Sequence, residues 1–359
     1  MRSTTADSTA GLRPTSRDAQ AGLMRLITGY RLAQMVYVAA TLGIADLLAR
    51  GPKGCAELAQ LSGTHAPALY RALRALAGAG IFREQADGRF ALTPLAEPLR
   101  SDVPGSVRGY AIMQGEVWIW DTWGRALHSV RTGEPAFNHL HGTDFFTYLE
   151  QHPEAAAIFN AGMTGRAASA DVAVAHTYDF SDVRTIVDVG GGHGLLLSAI
   201  LEAYPAARGI LLDLPSVAAG AYERIAAAGL AGRCEVVGSD FFAAVPTGGD
   251  CYVLANVIHD WEDDRAVAIL RNCQRAMADG GRVLIIEAVL PTGSEPHPSK
   301  IADLQMLIIS GGRERTAAEY RDLLVTSGFE PTRVIPTASP VSAIEGVRAG
   351  AGRPGRADP

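Results

Sequence analysis

Apolar positions along the chain change period twice, and the two changes divide it. Over residues 23–48 they recur every three to four positions, through Leu26, Ile27, Tyr30, Leu32, Ala33, Val36, Ala40, Leu42, Ile44 and Leu47. That spacing predicts helix, and Gly43 predicts a break into two helices. Shorter helical patterns cover residues 55–59 and 66–77, with Thr64 or His65 near an N-cap and Pro67 tolerated in the first turn. Residues 81–84 and 89–92 flank Asp87-Gly88, whose turn chemistry predicts a hairpin. Helices followed by a hairpin in this order predict a winged helix.

Residues 101–171 keep the helical period and are rich in aromatic side chains: Trp118, Trp120, Trp123, Phe137, Phe145, Phe146, Tyr148 and Phe159. Most are expected to fill a core between domains and a minority to line an apolar pocket, with residues 159–163 the best placed. From Ile186 the period shortens. Apolar, β-branched runs at 186–189, 209–213, 234–237, 251–255 and 282–287 alternate with helical segments such as 217–228 and 264–277. Strands buried on both faces and separated by helices predict a doubly wound α/β sheet, whose ligands sit at the carboxyl ends of the strands.

The first of those strands ends in Asp188-Val189-Gly190-Gly191-Gly192-His193-Gly194 and runs into the apolar helix that begins at Leu195. Glycines there let the backbone take positive φ and let a ligand approach with no Cβ in the way. The order D-x-G-G-G-x-G departs from the dinucleotide fingerprint, and no Lys-Ser or Lys-Thr follows as in a P-loop. An acidic residue at the strand end repels a pyrophosphate but suits a cationic or zwitterionic nucleoside, and S-adenosyl-methionine meets those constraints. Asp213, at the end of the second strand, is placed to accept hydrogen bonds from ribose hydroxyls, or else to cap the following helix. Asp240 and Phe241, after the third, offer an acceptor for an adenine amino group and a ring to stack on the base. After the fourth comes Asn256-Val257-Ile258-His259-Asp260-Trp261. A lone His is more often structural than catalytic. Here it lies where the ligand is expected, and an imidazole can take a proton near neutral pH if a carboxylate orients it. Glu287, ending the fifth strand, and Glu314 are the candidates for that role.

Composition narrows the function further. The formal charge of −6 gives no basic field for nucleic acid. The helix at 66–77 offers Arg71 and Arg74 and little else polar for reading bases, so the winged helix is expected to pair with a second copy of the chain. The rival is a transcription regulator that senses a ligand through its α/β domain. Four cysteines are scattered without metal-site spacing, no apolar run is long enough to span a bilayer, and nothing near the N-terminus reads as a secretory signal, so a cytoplasmic protein is expected.

The runs VDVGGGHG, LLDLP, GSDFF, ANVIHDWEDD, GRVLIIEAVLP, DLQMLIISGGRERT and SPVSAIEG, in that order, resemble the caffeate- and hydroxyneurosporene-type class I O-methyltransferases of plants and bacteria over nearly the whole chain. The resemblance implies metal-independent transfer of a methyl group from S-adenosyl-methionine to a hydroxyl, phenolic or polyketide-like, of a small natural product. It places Gly190, Asp213, Asp240 and Phe241 on the cofactor, with Trp261 near the adenine. His259 becomes the general base, Glu287 and Glu314 support its ring, and Met163, Asp303 and Met306 lie near the acceptor. The expected domains are a winged-helix dimerisation domain over 21–104, a helical linker and acceptor region over 105–170 and the cofactor-binding domain over 171–347, with disordered tails at 1–20 and 348–359. Two features depart from the family. Ala255-Asn256 stands where many relatives carry Lys, Arg or Ser, and no acceptor motif appears over residues 105–170.

Overall fold

Gly43, in the left-handed region at φ 64°, separates the helix Ser16–Thr41 from the helix Ile44–Leu48, as its lack of a Cβ predicts. The computed structural model describes residues 16–349. Of the tails expected at 1–20 and 348–359, residues 1–15 and 350–359 lie outside the described residues, while residues 16–20 belong to the first helix and Arg348 ends the last strand. Contacts divide the described chain into two units, parting between Arg100 and Ser101.

In the first unit, helices Cys55–Ser62 and Ala66–Gly78 precede a hairpin of β2 (Phe82–Glu84) and β3 (Arg89–Leu92), with β1 (Lys53–Gly54) pairing the far side of β3. Asp87 closes the turn by accepting from the Arg89 N–H at 3.1 Å, and Gly88 takes φ 78°. This is the expected winged helix. Leu23, Leu26, Ile27 and Tyr30, at helical spacing on the first helix, are all exposed, Leu26 at 79%. A face of that kind needs a cover.

The second unit is built on a seven-stranded sheet in the order β11-β12-β8-β7-β4-β5-β6. Five strands are parallel: β4 (Thr185–Val189), β5 (Arg208–Asp213), β6 (Cys234–Gly238), β7 (Cys251–Ala255) and β8 (Arg282–Glu287). Alternate side chains feed two cores. Ile186, Leu211, Val253 and Ile286 face one, and Val187, Leu212, Leu254 and Ile285 face the other. After β8 a short parallel ladder joins β9 (Val289–Leu290) to β10 (Arg315–Thr316), pairing Arg315 with Val289. The antiparallel pair β11 (Phe329–Pro336) and β12 (Ser342–Arg348) completes the edge. The order in which strands are added reverses between the parallel neighbours β4 and β7, so the switch-point crevice opens above their carboxyl ends. The helical segment from Arg108 onward belongs to this unit and has its own core around Trp118, Phe137 and Phe145.

Candidate active site

A cavity of about 1550 Å³ lies over that crevice, above the usual range for a single small ligand and roomy enough for two. Its wall includes Gly190, Asp213, Asp240, Phe241, His259 and Trp261, so the strand ends named from the sequence converge on one space. Met163, from the helix Pro153–Thr177, and Met306, from the helix Ser299–Ile309, line it too. Asp303 does not. On its helix Ala302, Gln305, Met306 and Ile309 form the lining face, and Asp303 is rotated about 100° away from it. Its carboxylate accepts from the backbone N–H of Glu314 at 2.9 Å. Of the aromatic residues, Trp118 and Phe137 are core, while Trp123, Phe145, Phe146 and Phe159 reach the cavity wall.

Asp213 receives the N–H of Gly192 on one oxygen and that of Leu214 on the other, each at 2.7 Å, which fixes the carboxylate with lone pairs to spare. Burial raises its pKa, and those two donors partly offset the rise. Gly190, at φ 70°, lies under the turn after β7, and a Cβ on it would come within 2.8 Å of Val257 Cγ2. Phe241 and Phe242 each meet Trp261 edge to face, with centroids 4.8 Å apart for Phe242 and Trp261, and the Arg265 guanidinium lies over both of these rings. Phe146 stacks on Trp261 at 5.5 Å.

The donor set fits S-adenosyl-methionine. Both carboxylate oxygens of Asp188 are buried at the cavity wall without a hydrogen-bond partner, a demand that an ammonium group meets and a pyrophosphate does not. Asn256 is the one non-glycine residue at positive φ among the described residues, a conformation Asn tolerates. Its Oδ1 accepts from Arg166 at 3.0 Å.

His259 occupies the short turn Ile258–Asp260 after β7 and is 5% exposed. The fully buried Glu287 anchors that turn, its Oε1 accepting from the N–H groups of Val257, Ile258 and His259 at 3.0, 2.9 and 3.3 Å. Its other oxygen lies 3.0 Å from His259 Nδ1, and Glu314 Oε1 lies at the same distance on a hydrogen-bonding line. Both neighbours being acceptors, Nδ1 carries the proton and Nε2 is left as the site that can take one. Burial opposes charging the ring, but the carboxylates of Glu287, Asp260 and Glu314 outweigh it and hold the pKa well above the ordinary value. Asp260, whose Oδ1 is 4.0 Å from Nε2, is itself pushed up to about 6 by burial.

The β9–β10 ladder explains why the two glutamates meet at one ring: Glu287 lies two residues before Val289, and Glu314 one before its partner Arg315. Gly312 permits the close approach, since a Cβ there would fall 2.0 Å from the carbonyl oxygen of His259. Arg315, fully buried, donates to the carbonyls of Ile258 at 3.2 Å and Trp261 at 2.8 Å and to Asp263 Oδ1, so it clamps both ends of the catalytic turn. Sequence reasoning missed it because an Arg in a charged motif reads as solvated.

Glycine turn, acidic strand ends and a carboxylate-braced histidine at a switch-point crevice define a nucleoside-dependent transferase. Residues 123–330 match the O-methyltransferase domain and residues 24–102 the O-methyltransferase dimerisation domain. Among relatives, the phenazine O-methyltransferase of Lysobacter antibioticus is 50% identical over 323 residues, 90% of this chain and 94% of that one. The crystal structure titled LaPhzM superposes with a TM-score of 0.89 at 49% identity, covering 92% of this chain and 99% of that one. An O-methyltransferase from neocarzinostatin biosynthesis, solved with S-adenosylmethionine and 2-hydroxy-5-methyl naphthoic acid, gives 0.75 at 38% identity over 88% of this chain and 95% of that one. The chain belongs to the O-methyltransferase family. It is an enzyme whose cofactor is S-adenosyl-L-methionine.

Proposed function

We propose that the enzyme methylates a hydroxyl, phenolic or polyketide-like, on a flat aromatic natural product, with His259 as general base. The observation that carries this reading is the geometry at His259: the residue belongs to the cavity wall, and two buried carboxylates hold its Nδ1, which leaves Nε2 as the nitrogen that can take a proton. The phenazine in the name of one relative above and the naphthoic acid bound to another support an aromatic ring system, as do Trp123 and Phe159 on the cavity wall.

When bound, S-adenosyl-methionine supplies an electrophilic methyl on its sulfonium. The chain's residues do the remainder. Asp213 holds the ribose hydroxyls, Asp240 accepts from the adenine amino group, and Phe241 and Trp261 flank the base, with Gly190 leaving room beneath. Met163 and Met306 pack on the acceptor and aim its oxygen, and Nε2 of His259 removes the hydroxyl proton as the oxygen becomes the nucleophile. Glu287 and Glu314 keep the ring oriented and stabilise the imidazolium that results.

The His259, Glu287 and Glu314 side chains also satisfy the spacing of a metal site. At 3.0 Å an Nδ1 proton shared with carboxylates accounts for their contact, which supports metal-independent transfer. The winged-helix unit is read as the pairing surface of a homodimer rather than a DNA reader, on the strength of its exposed apolar helix face and its family. No helix among the described residues is long and apolar enough to cross a membrane. Four free cysteines, three of them buried, accord with a cytoplasmic enzyme.

The test is turnover. Wild-type enzyme with S-adenosyl-methionine is offered hydroxylated phenazines, naphthoates and simple phenols beside carboxylic acids lacking a hydroxyl. Methyl ethers from the hydroxylated set support the reading; methyl esters alone would overturn it.

A further inference from the structure

Asp188 ends the stripe of β4 side chains that begins with Ile186 and faces the first sheet core. Against the same core the helix Pro153–Thr177 lays Val174, Ala175 and, at its C-cap, Tyr178, all buried. One turn earlier on that face stands Asp171, three and four residues before Val174 and Ala175. Two apolar stripes therefore each end in a carboxyl where they reach the cavity. Asp188 is 2% exposed and Asp171 6%, and both belong to the cavity wall. Neither oxygen of Asp188 has a hydrogen-bond partner. Two buried carboxyls on one cavity wall, one of them with an unmet demand for donors, make a site for a cation.

We propose that Asp171, supplied by the helix rather than the sheet, joins Asp188 to form the subsite that grips the ammonium group of the cofactor's amino-acid end, and that binding there expels a proton. The inference rests on the cofactor reading above and adds a residue that the glycine-turn motif does not contain. Burial, together with the neighbouring Asp171 and Asp213 carboxylates, raises Asp188 to about 8. Burial raises Asp171 to about 7, opposed by Arg166 on its own helix. The thiol of Cys234 at the start of β6 also feels Asp188 and is itself raised to about 11, so it stays neutral. For an acid, a raised pKa means that the empty protein holds protons on this pair at neutral pH. A cation placed between the carboxyls favours their ionised forms, so the proton leaves as the ligand enters.

Calorimetry at pH 7 in two buffers of different ionisation enthalpy reads the protons released. S-adenosyl-homocysteine carries the amino-acid end without the sulfonium charge, and methylthioadenosine lacks that end altogether. Wild type should release about one proton with the former and essentially none with the latter, and its affinity for S-adenosyl-homocysteine should rise roughly 3–10-fold from pH 6 to pH 7.5. Asp171→Asn, nearly isosteric, should at least halve the proton count and flatten that pH dependence while leaving methylthioadenosine binding unchanged. Binding of S-adenosyl-homocysteine with no proton released, or with the wild-type count retained in Asp171→Asn, would overturn the subsite and leave the cofactor reading standing. No binding of either nucleoside would remove both.

Discussion

Replacing Glu314 with Gln isolates the charge that tunes His259, because Gln keeps an oxygen to accept the Nδ1 proton while removing one negative charge 3.0 Å from the ring. Glu287 is the worse target, since its loss would also free three backbone N–H groups and unseat the turn. An opposite charge this close raises an imidazole by about one to three pH units, about 1.4 kcal/mol each. The sign follows from the wild-type ring, whose pKa stands above its ordinary value. Below that pKa the ring is already protonated and cannot accept the substrate proton, so kcat climbs with pH through it. In Glu314→Gln the climb should move to lower pH by about one to three units, and the alkaline plateau should fall because the base is weaker. The assay is kcat against pH with cofactor and acceptor both saturating, which reports the ternary complex. A rising limb that stays in place, or moves to higher pH, would refute this account of how the carboxylates act.

Arg315→Met should strand the carbonyls of Ile258 and Trp261, costing roughly 1–3 kcal/mol for each by thermal unfolding, and lower kcat more than it changes KM. Leu26→Glu combined with Ile27→Glu places two charges on the exposed face of the first helix and should shift sedimentation from dimer to monomer; an unchanged dimer would place the interface elsewhere. Exhaustive chelation should leave turnover intact, and restoration of lost activity by a divalent ion would convert the His259, Glu287 and Glu314 cluster into a metal site.

What could be read in advance followed burial. Strands β4, β5, β7 and β8 are interior to the sheet, so each is a nearly unbroken apolar run, and the crevice receives residues at or just past the strand ends. That is why Asp213, Asp240 and His259 were visible from the chain alone. The pair β11 and β12 was not, because β11 is the outer edge, carries Pro331 and Pro336 and alternates poorly, all of which read as loop. Asp303 came from the resemblance alone, with no local spacing to say which way its helix turns it, and its carboxylate accepts from the Glu314 N–H. Arg315 owes its burial to partners far away in sequence, Ile258 and Trp261, so no local pattern marks it as buried.

The central claim is that His259 takes the acceptor proton. A single-turnover measurement of methyl transfer, run on wild type and His259→Ala with the same hydroxylated acceptor and with cofactor affinity determined for both, tests it most directly. Loss of a general base should slow transfer by on the order of 10²–10⁴, with cofactor affinity nearly unchanged. Equal rates in the two proteins would contradict the claim.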